Sequence, residues 1–464
     1  MRLAFIYLPQ EVCPLFFTEK IYRQNSREGA ILPPLGIAYL AAILEKDHAV
    51  RIIDANVLRL SAGEIVDQLR IFSPDVLLFS LVTTNFRVGL GWIKAITRQI
   101  DVPVIVGGPH PTIYPLETLC CEEIDFCVVG EGWETLPELI DCLDHKGNYE
   151  NVKGIAFRKN GEGLLTGKRQ SIVSIDDVAF PARHLLPNER YTTILSKRFP
   201  ITAMMSSSGC PFHCIYCGHS HSTVLRNPVK VVDEMEECVT RYKIKEIMFY
   251  DEIFSLDKDR AAAICREIIR RGLDITWSIR TRTDFVNQEL IKLFAQAGCV
   301  RINYGIESAD PRILKAVKRD MPLSGMIDAV RWAKNEKIDV LGLFMLGLPG
   351  ESRQSILKTI ALAKQLPFDY VQITKAVPMP DTELYDKLKE TSGRDPWRDY
   401  TLGKEDLKSF TTFGSELTEQ ELDYWLKRAY RSFYFRPLHI LRTLLKVKSF
   451  KELRGLVNSA FALG

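Results

Sequence analysis

No stretch of this 464-residue chain reaches the roughly 18 consecutive apolar residues that a membrane span requires. The opening MRLAFIYLPQ has one arginine and a short apolar run that stops at Pro9, with neither the length nor the small-residue cleavage site of a secretory signal. It reads as a first strand, and the chain as cytoplasmic. A dense basic tract interleaved with aromatics is absent from the body of the chain, and a formal charge of +3 gives no sign of a nucleic-acid partner. Internal repeats and low-complexity segments are missing too. Eleven cysteines without an export signal do not make a disulfide framework, because the cytosol keeps thiols reduced. Cys13, Cys120, Cys121, Cys127, Cys142, Cys238, Cys265 and Cys299 fall singly or at irregular intervals and read as small buried hydrophobes. Cys210, Cys214 and Cys217 do not fit that description.

What remains is the composition of an ordinary globular protein, 46% apolar and 26% charged, long enough for two or three domains. Over residues 1–145, apolar runs at Leu3–Leu8, Val50–Asp54, Val76–Leu81, Val104–Gly107 and Phe126–Val129 predict strands. Helical periodicity marks Leu35–Leu44, Ala62–Ile71, Gly89–Ile100 and Thr135–Leu143. The alternation predicts a flavodoxin-like or Rossmann-like α/β domain, which binds ligands beyond the carboxyl ends of its strands. Those ends carry Ser80 and Thr83, Gly107-Gly108, and Gly130-Glu131-Gly132.

Residues 146–198 read as a connector containing a hairpin in GIAFRKNGEGLLTG. From 199 to 415 the alternation resumes, with strands at Met204, Glu246–Tyr250, Thr276–Arg280, Arg301–Gly305, Val340–Leu346 and Tyr370–Thr374. Six βα units are too few for a closed eight-stranded barrel and fit a partial one. Residues 416–464 read as helical, with an aromatic cluster at Tyr430, Phe433, Tyr434 and Phe435. Beyond Pro437, Arg442, Lys446, Lys448, Lys451 and Arg454 alternate with Leu and Val. That pattern suits a helix capping the barrel or, alternatively, peripheral contact with a membrane surface.

The segment SSSGCPFHCIYCGHS sets three cysteines at i, i+4 and i+7 directly after a predicted strand. A compact loop of this kind can wrap three thiolates around one iron–sulfur cubane and leave the fourth iron open. Zinc is the competing metal, with His213, His219 and His221 within reach, but structural zinc takes four closed ligands, usually from paired motifs. Tyr216 places an aromatic ring beside the last cysteine, where a nucleobase could stack.

C-x3-C-x2-C with an aromatic before the last cysteine resembles the signature of the radical S-adenosylmethionine (SAM) superfamily. The resemblance continues through Tyr250-Asp251-Glu252-Ile253-Phe254, similar to the acidic motif that receives the methionine ammonium through Asp251 or Glu252, where a helix N-cap is the alternative role. Gly305-Ile306-Glu307-Ser308 is similar to a segment near the nucleoside and methionine carboxylate, and Leu348-Pro349-Gly350-Glu351 to a turn near the adenine. Pro378-Met379-Pro380-Asp381-Thr382 resembles the family's PxPGT, with Asp381 in place of the glycine. The resemblance implies a [4Fe-4S] cluster on Cys210, Cys214 and Cys217, which reductively cleaves SAM to a 5′-deoxyadenosyl radical. It implies a SAM site of Tyr216, Asp251, Glu252, Glu307, Ser308 and Glu351. An electron donor such as flavodoxin or ferredoxin goes with this chemistry. Arg280, Arg282 and Tyr304, with Trp277 and Asn303, are candidates for a small-molecule substrate, and the arginines serve equally well in structural ion pairs.

With the barrel read this way, PPLGIAYLAAIL from Pro33, GGPHPT from Gly107 and GEG from Gly130 resemble the cobalamin-binding domain of one subclass of the superfamily. A cobalamin site of Ser80, Thr83, Gly107, Gly108, Gly130, Glu131 and Gly132 is what this implies, glycines letting backbone approach a bulky ligand. The DxHxxG that supplies a cobalt-ligating histidine elsewhere is absent, and His110, between prolines, reads as fixing a turn. The subclass implies cobalamin-dependent methylation of an unactivated carbon. A cobalamin-dependent radical cyclase or rearrangement enzyme, and a non-catalytic corrinoid carrier or sensor, are the rival readings. A methylthiotransferase needs further cluster cysteines in the N-terminal domain, and none of the required pattern is present.

Overall fold

The computed structural model describes residues 1–10, 14–17, 31–169, 174–218, 222–406, 414–437 and 439–441. Chain contacts divide these into two units. The first holds the described residues up to Thr192 other than 14–17, together with 395–406, and the second holds the rest.

The first unit is built on a seven-stranded sheet. Strands β1 (Arg2–Tyr7), β2 (Ala49–Asp54), β3 (Val76–Ser80), β4 (Val104–Gly107) and β5 (Phe126–Val128) are parallel, in the flavodoxin-like order β2-β1-β3-β4-β5. Helices cover both faces, so β1 and β3 read as continuous apolar runs, buried at Leu3–Ile6 and Val76–Phe79. The helix Ala62–Phe72 starts on a reciprocal Ser61–Glu64 capping box. The hairpin of β6 (Ile155–Lys159) and β7 (Glu162–Leu165) pairs antiparallel onto β5. The segment read as a connector therefore extends the sheet. Up to Thr192 it belongs with this unit, tied down by Tyr191 Oη donating to the buried Asp54 carboxylate at 2.8 Å. Residues 395–406 join it as well, so the unit is discontinuous in sequence.

The second unit contains six parallel strands: β8 (Ile201–Met204), then, beyond a small β9 (Ser207–Ser208)/β10 (Val224–Leu225) ribbon, β11 (Glu246–Phe249), β12 (Thr276–Thr281), β13 (Cys299–Glu307), β14 (Asp339–Leu346) and β15 (Tyr370–Lys375). They neighbour one another in chain order with β8 and β15 at the edges, the open partial barrel expected from the repeat count. Alternation assigns the two faces. Ile247, Phe249, Trp277, Ile279, Ile302, Tyr304, Ile306, Val340, Phe344, Val371 and Ile373 join the core between sheet and helices. Met248, Ser278, Arg280, Asn303, Gly305, Glu307, Leu343 and Gln372 fall on the other face. At the amino ends, buried Glu246 accepts the backbone N–H groups of Lys197 and Arg198 at 2.8 and 3.1 Å, and Lys197 pairs with Asp339 at 2.9 Å. That closes one end of the sheet and leaves chemistry to the carboxyl end.

The aromatic cluster in the C-terminal segment has a structural role. The helix Glu419–Tyr434 lies along edge strand β15, where Tyr430 Oη exchanges two 3.0 Å hydrogen bonds with the Ile373 backbone. Tyr434 Oη does the same with Val371 at 3.1 and 2.9 Å. Two phenols thus occupy backbone groups that an exposed edge would offer to another chain. Arg442, Lys446, Lys448, Lys451 and Arg454 lie outside the described residues.

Candidate functional site

The cysteine loop begins where the ribbon ends, after Gly209 in the left-handed region (φ +80°). Two residues between the cysteines have anchors of their own. The Phe212 ring lies 3.9 Å beneath the Arg282 guanidinium and edge-on to Phe285. Ile215 is buried with Ile313, Val317, Leu348, Ala376 and Leu384, and its backbone bonds to both sides: its N–H donates to Val317 O, its carbonyl accepts from Leu384 N. The Cys217 N–H closes a turn onto Cys214 O at 3.0 Å. Gly218 passes so close to the following segment that a Cβ there would lie 3.0 Å from Asp381 O. Asp381 itself adopts φ +61°, the conformation of the glycine it stands in for.

Beneath the loop lies a clamp of buried side chains that the sequence reading did not anticipate. Asp251, at the end of β11, accepts the Ser206 N–H at 2.7 Å, the Ser206 hydroxyl, and the Ser207 hydroxyl at 2.7 Å. Arg260 donates to the carbonyls of Ser206 and Arg226, and Arg226 pairs with Glu234 at 2.6 Å with both side chains inaccessible. Burial raises the Asp251 pKa, and the serine donors oppose the shift. Asp251 thus fixes Ser206 and Ser207 on the approach to Cys210, and the charge of Glu252 reaches Cys210. Burial pushes the Cys210 thiol up, and the charges of Cys217, Cys214 and Glu252 add to that while the Phe212 N–H works against it.

On β13 the backbone leaves regular pairing with β14 between Gly305 and Glu307, and Glu307 sits at φ +62°, a strained conformation for a side-chain-bearing residue. Its carboxylate lies 3.7 Å from Arg319 Nη2, which also donates to Gly305 O at 2.8 Å, while Arg319 Nη1 reaches Cys214 Sγ at 3.8 Å. Burial disfavours this cation, but Tyr216, Glu307 and Cys214 around it outweigh that and hold it protonated. Burial raises the Glu307 carboxyl against the pull of Arg319 and Arg280. The Tyr216 hydroxyl is buried in the same place, where it feels Glu307, Arg319 and Cys214. Cys214, Tyr216, Glu307 and Arg319 therefore form one cluster, with Arg280 exposed near Glu307 and Tyr250.

In the first unit, the expected ligand end of the sheet is built from backbone. Gly108, at φ +98°, passes against the end of β3 so tightly that a Cβ would lie 2.9 Å from both Leu81 O and Ser80 Oγ. Gly107 pairs with Ser80, and a Cβ there would meet only Val128 at 3.8 Å. Gly130 (φ +83°) donates its N–H to Thr112 Oγ1 at 3.0 Å and faces open space.

Residues 204–363 match the family model of the radical SAM superfamily, and residues 27–140 that of the B12 binding domain. An uncharacterized methyltransferase of Pyrococcus horikoshii is 33% identical over 445 residues, covering 93% of this chain and 94% of its own. The chain belongs to the cobalamin-dependent radical SAM enzymes. The anaerobic magnesium-protoporphyrin IX monomethyl ester cyclase of Cereibacter sphaeroides is 27% identical over 421 residues, 87% of this chain and 67% of that one. The fold is shared with a radical SAM methyltransferase from Kitasatospora setae solved with cobalamin and a [4Fe-4S] cluster: TM-score 0.68, 18% identity, 84% of this chain and 75% of that one.

The cofactors of a cobalamin-dependent radical SAM enzyme are a [4Fe-4S] cluster, SAM and cobalamin. The donor set suits the first. Three thiols share one loop and feel one another's charge, as the thiolate ligands of a single iron–sulfur cluster do. His219 and His221, considered for zinc, lie outside the described residues. Arg319 also directs a cation at Cys214 Sγ, a contact suited to a thiolate. For the corrinoid, the open space over Gly130, with strand ends kept to bare backbone at Gly107 and Gly108, fits a bulky ligand.

Several expected site residues are engaged elsewhere in this radical SAM enzyme. Tyr304 and Trp277 face the helices: Trp277 Nε1 donates to Ala297 O at 2.7 Å, and both rings lie in the core. The two-residue period puts them opposite Arg280 and Asn303, with which they had been grouped. Arg282 holds Phe212 and a bidentate bond to Asp284 at 3.0 and 2.7 Å, so it orders the cysteine loop. The Ser308 hydroxyl accepts the Asp310 N–H at 3.2 Å and meets Thr359. Glu351 folds back on its own turn, accepting the Gly347 N–H at 2.5 Å, and burial pushes its pKa up to about 7. Thr83 is buried in the short turn Thr83–Asn85. Glu131 accepts from Trp133 Nε1 at 2.7 Å, and a Cβ on Gly132 would press on Leu40 at 3.3 Å, so both serve the start of the helix Gly132–Asp144. Arg319 went unread because no local pattern marks it. Its relation to Cys214 exists only once β13 and the helix Pro311–Ala316 are folded.

Proposed function

We propose that this enzyme methylates an unactivated carbon of a small-molecule substrate. The reading rests on one observation above others: the near full-length likeness to a protein named a methyltransferase. When bound, the cluster supplies an electron for SAM cleavage and the corrinoid a route for the methyl group. The chain's own residues bind and orient. Cys210, Cys214 and Cys217 hold the cluster in a loop that Arg282, Ile215 and Gly218 keep in place. Glu252 receives the methionine ammonium, and Glu307, held by Arg319 on a strained turn, together with Tyr216 faces the nucleoside. Arg280 and Asn303, whose amide oxygen is buried without a partner among the described residues, are left to select polar groups of the substrate. Ser80, Gly107, Gly108 and Gly130 form the corrinoid cradle. A low-potential carrier such as flavodoxin or ferredoxin delivers the electron.

The test is anaerobic turnover of reconstituted protein with dithionite and SAM labelled in its methyl group. Formation of 5′-deoxyadenosine together with labelled product is the expected result. Deoxyadenosine with an unlabelled product moves the assignment to a cyclisation or rearrangement, the chemistry named for the Cereibacter relative. No deoxyadenosine with any candidate substrate leaves a corrinoid carrier.

A further inference from the structure

Neither the cysteine loop nor the glycine cradle uses His110. It follows Pro109 at the carboxyl end of β4, in the short helical turn Pro109–Ile113, and its backbone N–H donates to Leu81 O at 3.1 Å. The side chain is fully buried, stacked on Phe86 with ring centroids 3.9 Å apart at 24°, and Tyr114 lies 5.8 Å away. Neither Nδ1 nor Nε2 has a hydrogen-bond partner among the described residues.

A neutral imidazole carries one donor and one acceptor, and burying both unpaired opposes folding. Native proteins leave few such groups, and each calls for an explanation, a missing ligand among them. Packing alone does not supply one, because a phenylalanine would stack on Phe86 equally well without the unpaired nitrogens. A charge relay does not either: burial holds the ring neutral, its pKa down to about 3. The turn's neighbouring hydroxyl is already used, Thr112 Oγ1 donating to Gly108 O at 2.9 Å and accepting from Gly130 N at 3.0 Å. Two residues before His110, Gly108 makes the close approach to Ser80 and Leu81 that defines the cradle.

We propose that His110 is a cobalamin-binding residue, its ring hydrogen-bonding the polar nucleotide tail of the corrinoid. The geometry selects the tail over the cobalt. The imidazole lies wholly beneath the surface, in a turn held by Pro109 and Pro111 two residues beyond Gly108, too deep for a broad, planar corrin ring. The assignment rests on the corrinoid reading of the first unit and adds a residue to it.

The experiment compares full-length wild type and His110→Phe for binding of cobalamin and of cobinamide, which lacks the nucleotide tail, by anaerobic equilibrium dialysis, with melting of the corrinoid-free proteins alongside. The expected result is about tenfold or greater weakening for cobalamin in H110F, unchanged binding of cobinamide, and a melting temperature no lower than wild type. Retained cobinamide binding shows that the variant is folded. Equal affinity of both proteins for cobalamin overturns the assignment, as does parallel loss of both corrinoids. Nitrogen superhyperfine structure in the EPR spectrum of wild type loaded with cob(II)inamide, which has no nitrogen base of its own, that disappears in H110F would instead make the residue a cobalt ligand. Wild type that takes up neither corrinoid sinks the underlying reading along with this one, a different outcome from a variant that behaves like wild type.

Discussion

At the end of β4 the chain packs through bare backbone: Gly108 at φ +98° leaves no space for a Cβ, and the groups it meets are a main-chain carbonyl and a short hydroxyl. At the end of β13 it does the opposite. Glu307 carries a full side chain through the same left-handed region at φ +62°, and Arg319, twelve residues later, bonds to Glu307, Gly305 and Cys214 together. The first site is a shape, and at Gly108 any substituent damages it. The second is a charge arrangement, which depends on partners brought from distant segments. Substitutions should therefore act differently at the two ends, all-or-none through steric exclusion in one and graded through electrostatics in the other.

The largest effect belongs to Cys214→Ala. Removing one of three thiolates should reduce iron and acid-labile sulfide after reconstitution to near background and abolish 5′-deoxyadenosine formation. Cobalamin uptake by the first unit should stay intact. Simultaneous loss of both cofactors would break the division into a backbone-built and a side-chain-built site. Next comes Gly108→Ala. A Cβ 2.9 Å from Leu81 O and Ser80 Oγ, on a residue at positive φ, should cost roughly 2–3 kcal/mol in denaturant melts and remove cobalamin binding while leaving the iron content unchanged. A fully stable, cobalamin-binding G108A would mean that the cradle is not a steric device.

This contrast also explains what was legible in the sequence. The strands follow from apolar periodicity and the α/β class from their alternation with helices, whereas the choice between a flavodoxin-like and a Rossmann-like strand order needed the structure. The cysteine spacing and the strand-end glycines are local signals, so those parts of the sites could be read directly. For Asp251, Ser308 and Glu351 a motif records where a polar residue stands and not which way it points. Each turned out to bind neighbouring backbone or serine hydroxyls. Tyr304 and Trp277 misled for a simpler reason, parity along a strand. Arg319 and the Arg226–Glu234 pair, by contrast, are intelligible only through tertiary contacts. Residues 395–406 returned to the first unit without a sequence signal, through Tyr114 Oη to Asp395 at 3.1 Å and Arg398 to Glu117 at 2.6 Å.

Glu351 offers a pH-dependent way to sharpen the comparison, since it is a side chain used to satisfy backbone. Burial raises its folded-state pKa from 4.5 to about 7. Between those values the folded protein holds a proton that the unfolded chain has released, so stability is full below about pH 4.5, declines as pH rises and levels off above about 7. Glu351→Gln, which keeps the acceptor for the Gly347 N–H, should remove that decline and gain on the order of 2 kcal/mol relative to wild type at pH 8 compared with pH 5. Parallel stability profiles for the two proteins would show that the carboxyl titrates normally.

The smallest effect tests one of the two phenols that stand in for a strand. Tyr434 Oη both donates to and accepts from Val371 on edge strand β15. Tyr434→Phe keeps the ring packing but leaves that N–H and carbonyl to water or to another chain, at a cost of about 1–2 kcal/mol in denaturant melts. Its more specific consequence is at the edge itself. An uncovered parallel edge is a template for pairing, so Y434F should self-associate at concentrations where wild type does not, measurable by light scattering, with cluster and corrinoid content unchanged. If stability falls without any rise in association, the phenol is a local hydrogen-bonding group and the strand edge is protected by something else.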